Sequence, residues 1–283
     1  MINSIKMDIY RMVRTKSFYT VLFSMMIAIA FTTYLEFVVE KNEDFLEERE
    51  IAAENAENPE PEKINFGMSV NIATKPGEKV SVYNMFYANT QGKFTALFLV
   101  IFTIIFTMAD ITSGYVKNIA GQIKERWLLI LSKSFTVFLY TFFLLLTFVF
   151  WQAICNWIFM GYLVWGDGKI FLLYFFTQLL LHFAFAMVCM MIAILIKNQV
   201  GSMTISICLC MNLMVIVYGV IDKAVQNLGK KDFSCMFYTL TGKMSMLPQN
   251  LTGKDSIEAI MISIIFAAVS IFIASVVFEK RDI

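Results

Sequence analysis

His182 is the chain's single histidine, and it falls near the middle of an apolar run where an ionisable side chain is expensive. Gln178 stands four residues earlier, on the same face of a helix and within hydrogen-bonding reach. An imidazole at that depth is either a proton relay or a neutral hydrogen-bonding group between helices. No carboxylate shares its run, which favours the neutral role. Gln152, Asn156 and Asn212 are further polar residues inside apolar runs, suited to lining a pathway or to joining helices. With Phe233 and Phe237 from a later connecting segment, these residues form the candidate pathway or gate set. A second cluster lies at 110–133. Here Asp110, Gly114, Tyr115, Lys117, Asn118, Ile123, Lys124 and Arg126 make a short basic island between two apolar runs.

No enzyme is legible in these residues. The chain has no G-x-x-x-x-G-K-[ST] phosphate loop and no H-E-x-x-H. One histidine and five scattered cysteines do not make a zinc site. Cys155, Cys189, Cys208 and Cys210 fall in apolar runs, as small apolar residues do. We therefore expect no catalysis, cofactor or metal in this chain, and no nucleic-acid partner.

The elements that carry these residues are membrane spans. The chain is 58% hydrophobic with a mean hydropathy of +0.68, and its apolar runs exceed the roughly 20 residues that cross a bilayer. Six helices are expected at about 17–39, 93–116, 132–160, 170–196, 200–222 and 256–278, in an all-α integral membrane fold with a single domain. The first run continues past Ala28-Ile29-Ala30 to Val39, which reads as a retained span rather than a cleaved signal. With both termini inside, the inner segments carry eleven Lys and Arg against four acids, packed into short loops. The outer loop 40–92 is long and acidic. We expect in it a solvated helix, then a small hairpin around Lys75-Pro76-Gly77-Glu78, forming a solvated cap. Residues 1–16 place Ile2, Ile5, Ile9, Met12 and Val13 at helical spacing beside Lys6, Arg11, Arg14 and Lys16. That pattern predicts an interfacial helix with a basic face toward anionic lipid. The outer segment 223–255 holds an apolar middle, Phe233 to Leu247, and is expected to fold back against the spans. Together, 28 Phe and 19 Met offer an adaptable apolar surface, and no carboxylate or arginine stands at mid-span.

Six spans with both ends inside, a basic amphipathic start and the Asp110–Lys133 loop resemble the permeases of ABC-2 type transporters. The resemblance is concentrated in Gly114-Tyr115-Val116-Lys117-Asn118, Ile123 with Arg126, and the closing Phe278-Glu279-Lys280-Arg281-Asp282-Ile283. The chain departs from that pattern at Lys124-Glu125, where such loops often place a proline or serine. The resemblance implies a coupling loop at 117–131, with Gly114, Tyr115, Lys117, Asn118, Ile123, Lys124 and Arg126 facing a separate ATPase subunit that binds ATP and Mg2+. It also implies a second permease subunit, identical or not, a re-entrant stretch within 223–255, and a bacterial cytoplasmic membrane. The acidic outer loop is similar to those of peptide-export and bacteriocin-immunity permeases. The expected function is outward transport of an apolar or amphipathic cargo, a peptide or lipid-like molecule. The alternative is a secondary transporter or channel that works without an ATPase.

Overall fold

The computed structural model describes residues 2–41, 46–57, 59, 67–68, 70–72, 74–75, 77–112, 114, 125–227 and 233–280. Eleven α-helices follow one another among them: α1 Ile2–Arg14, α2 Lys16–Glu40, α3 Leu46–Glu57, α4 Val82–Gln91, α5 Phe94–Thr112, α6 Trp127–Met160, α7 Gly168–Ile196, α8 Gln199–Cys210, α9 Met214–Asn227, α10 Leu240–Met246 and α11 Gly253–Glu279. Pro59 and Pro248, the prolines among the described residues, lie in connecting segments, so no described ring breaks a long helix. Asp167 caps α7 by accepting the Lys169 and Ile170 amides at 2.8 and 3.1 Å. Thr252 and Asp255 form a capping box at the start of α11.

Five helices, α2, α5, α6, α7 and α11, are long and apolar enough to cross a membrane, and α8 with α9 makes a sixth if the bent pair is one span. The bend is 61° and falls at Met211–Leu213. The span expected as one helix over 200–222 is therefore two half-helices. Its break sits at Asn212, whose φ of +56° lies in the left-handed region that asparagine tolerates better than most residues.

α7 is the central helix, and its largest contact is with α11. The α11 side of that seam is Ser256, Ala259, Ser263, Ala267, Ser270 and Ala274. Small side chains let the two backbones approach closely, and Thr177 meets Ser256 at 2.6 Å across it. The opposite face of α11 exposes Met261, Ile264, Ile265 and Phe272, and α2 likewise exposes Phe23, Ile27 and Phe31. Such faces suit lipid. The core between α2, α5 and α6 is aromatic: Phe102 stacks on Tyr140 at 3.6 Å between centroids, and Phe18 packs edge-on to both.

The outer loop departs most from expectation. No strand occurs among the described residues, and the expected hairpin is absent from those of 67–81. Ile72 and Val80, which read as strand residues, instead join Met85 and Ala88 in a small buried cluster. The end of the loop is α4, a helix sunk into the bundle rather than a solvated cap. Tyr83, Phe86 and Tyr87 pack their rings against Phe171, Tyr174 and Phe175 of α7. α4 and α5 meet at Gly92–Lys93.

The segment near Phe233 does pack inward in part. Leu240 to Leu247 are buried, and the Tyr87 hydroxyl donates to the Leu247 carbonyl at 3.0 Å. α1 is helical as expected, but its buried face differs. Asp8 and Met12 turn inward, while Tyr10 and Val13 are exposed.

Candidate functional site

The end of the molecule that carries α1 and the start of α6 holds a buried ionic cluster. Asp110, in the last turns of α5, pairs with Lys133 of α6 through one oxygen at 2.5 Å. The other oxygen accepts from Arg11 of α1. Lys133 also donates to the Phe106 carbonyl at 3.2 Å and lies over the Phe106 ring. One turn away on α1, Asp8 accepts from the Ser132 hydroxyl at 2.5 Å. Burial pushes the Asp8 carboxyl above the usual carboxylate range, against the opposing pull of Lys133 and the Ser132 hydroxyl. Three helices are thus fastened at the base of the segment between α5 and α6.

The expected ATPase-facing residues belong to that segment. Tyr115, Lys117, Asn118, Ile123 and Lys124 lie outside the described residues. Gly114 has a φ of +69°, a turn that glycine makes without strain. Arg126 immediately precedes α6.

The polar residues of the expected pathway fall into three separate groups. Gln152 donates to the Thr33 hydroxyl at 2.9 Å and to the Asn156 side chain at 2.8 Å, tying α6 to α2. Asn156 reaches the Val80 carbonyl at 3.4 Å. On α7, His182 does not bond the Gln178 side chain. Its Nδ1–H donates to the Gln178 backbone carbonyl at 2.9 Å. Gln178 Nε2 turns instead to the Tyr174 hydroxyl at 2.8 Å, and Tyr174 meets Thr90 of α4 at 3.1 Å. His182 and Gln178 are fully buried. Their Nε2 and Oε1 atoms have no partner among the described residues. Phe237 is exposed, and Phe233 stacks on Tyr238. Neither bonds to the α7 pair.

Asn212 makes the third group, and its partner is the residue that sequence reasoning missed. Lys93 stands at the very edge of the second expected span, and it is 1% exposed. It sits at the α4–α5 joint with a φ of +59°, and its Nζ donates to Asn212 Oδ1. Asn212 Nδ2 donates to the Gly67 carbonyl at 3.3 Å, and the Gly67 amide donates to the Met211 carbonyl at 3.1 Å. Two helix breaks therefore face each other, strapped by one residue of the outer loop. The bundle thus buries a lysine at the end of a span; the expectation concerned only a carboxylate or an arginine at mid-span. The only sequence signal was a lysine flanked by Gly92 and an apolar run.

Among the described residues, no group of His, Cys, Asp and Glu could hold a metal ion. The fold and its apolar helices define an all-helical, multi-pass membrane protein. No protein-family model and no curated protein matches this chain.

Proposed function

We propose that the chain is the transmembrane subunit of an ATP-driven ABC exporter in a bacterial cytoplasmic membrane, with both termini cytoplasmic. The observation that carries this reading is the Arg11–Asp110–Lys133 cluster. It fixes the base of a short basic segment to two spans and to α1 at once. A loop that receives a push from a partner needs such a stiff base, and a plain connecting loop does not. The partner is an ATPase subunit that holds the nucleotide and Mg2+, and a second permease subunit, identical or not, completes the pathway. α1 rests in the inner headgroup layer, exposing Lys6, Tyr10 and Arg14 to lipid. The stretch 235–247, buried from Leu240 to Leu247, is the re-entrant element before the last span. The cargo is amphipathic, a peptide or lipid-like molecule moved outward along aromatic walls.

The test pairs this chain with a P-loop ATPase encoded beside it. Lys117→Glu with Arg126→Glu should leave the protein inserted and assembled but uncouple transport from ATP hydrolysis. Robust hydrolysis by the chain alone, or normal transport by the double variant, overturns the reading.

A second reading, a carrier that works without an ATPase, draws on the two broken helices. Discontinuous helices meeting inside a bundle are how many secondary transporters build their sites. Ion-gradient-driven uptake in ATP-free vesicles would favour it.

A further inference from the structure

Lys93 is a buried cation whose charge the packing leaves unanswered. An ammonium has three donors, and among the described residues Nζ has one acceptor, the neutral Asn212 Oδ1. The other lysines buried to a similar degree are paired: Lys133 with Asp110 and Lys243 with Glu258. A buried charge with only a neutral partner is costly. The left-handed backbone of a lysine adds strain at the same residue. Both costs meet where α4–α5 and α8–α9 break toward one another.

Asn212 fits the position of a stand-in. Its carboxamide has the shape of a carboxylate, and its Oδ1 sits where one carboxylate oxygen would accept from the ammonium. It lacks the charge that makes such a bond about twice as strong. We propose that Lys93 is the recognition point for the carboxylate head of an amphipathic cargo, and that the Asn212 side chain is the placeholder which that head displaces. Opening the site releases Asn212 from Gly67, so residues 67–68 lift from the joint as the head enters. The proposal rests on the transport reading but not on the ATPase.

The test uses the purified chain in detergent without any ATPase, and follows its Tm during titration with octanoate, octanol and octylamine. Octanoate should raise Tm saturably, and the neutral and cationic chains should not. Lys93→Met should abolish the shift. Asn212→Asp should raise Tm without ligand and also abolish the shift, because its own carboxylate takes the seat. Asn212→Ala should keep the shift and reach it at roughly tenfold lower octanoate, the equivalent of about 1.4 kcal/mol of placeholder bond removed. If Lys93→Met does not fold, the two Asn212 variants decide. Equal shifts from octanol and octanoate, or an undiminished octanoate shift in Asn212→Asp, overturn the proposal. An octanoate shift that follows this pattern, in a protein that no ATPase drives, upholds the site and sinks only the exporter reading.

Discussion

Asp110 and Lys133 lie 23 residues apart and close an ion pair across the base of the segment that joins α5 to α6. Arg11 takes the second oxygen of the same carboxylate, so one acid answers two cations. Asp110→Asn removes the carboxylate that both cations contact and should cost about 3–5 kcal/mol. Thermal unfolding in detergent measures it. A loss of under about 1 kcal/mol, the range of exposed pairs, would mean that the cluster is solvated.

Asp8, one turn from Arg11, should behave in the opposite way. Its folded pKa is raised above 3.8, so the native state holds the proton more tightly than the unfolded chain does. Its contribution is therefore most favourable below that value and is lost as pH rises through the folded pKa. Asp8→Asn should raise stability at pH 7, and the gain should shrink as the pH falls toward 4. Unfolding midpoints of both proteins across that range check the sign. A gain that grows on acidification contradicts it.

His182 is expected to be structural, because its hydrogen bond goes to its own helix backbone. His182→Asn and His182→Gln keep a donor and should retain most transport from mildly acidic to neutral pH. Full loss of transport in both, with normal folding, would make it a proton relay.

Gly242 sits against the Met236 backbone, and a Cβ there would lie 2.2 Å from the Met236 carbonyl oxygen. Gly242→Ala must push α10 away from the turn at 235–237. It should destabilise by more than about 2 kcal/mol, as overpacking against rigid backbone does, and should speed amide exchange over 233–249. Unchanged exchange there would mean that the turn yields freely.

The long helices were legible because apolar runs of span length without proline leave few alternatives. α4 was not. Val82–Gln91 is short and carries Asn84, Asn89 and Thr90; Asn84 and Thr90 reach Thr74 and Tyr174 beyond the helix, and Asn89 Nδ2 bonds the Met85 carbonyl within it. With α4 unread, Lys93 necessarily looked like a rim residue. The Gln178–His182 spacing was read on the correct helix face, but the i−4 carbonyl was the acceptor in place of the side chain. Asp110 and Lys133 were both visible as the ends of a basic loop. That they pair follows only once α5 and α6 are placed side by side. The Asn212 break left no hydropathy signal, because both halves stay apolar across it.

α6 has 34 residues, a rise of about 51 Å against roughly 30 Å of hydrocarbon. Trp151 bonds the Met26 carbonyl of α2 at 2.8 Å, and Gln152 bonds Thr33, so α2 runs beside the later part of α6. Its first turns, with Ser132 and Lys133, lie alongside α1, and a helix of this length exceeds what the hydrocarbon covers. Bilayer thickness then becomes a control on the protein. Longer acyl chains would draw that ionic collar toward oil, and the helix would answer by tilting. Activity in reconstituted membranes should therefore rise and fall with lipid chain length, at constant headgroup charge.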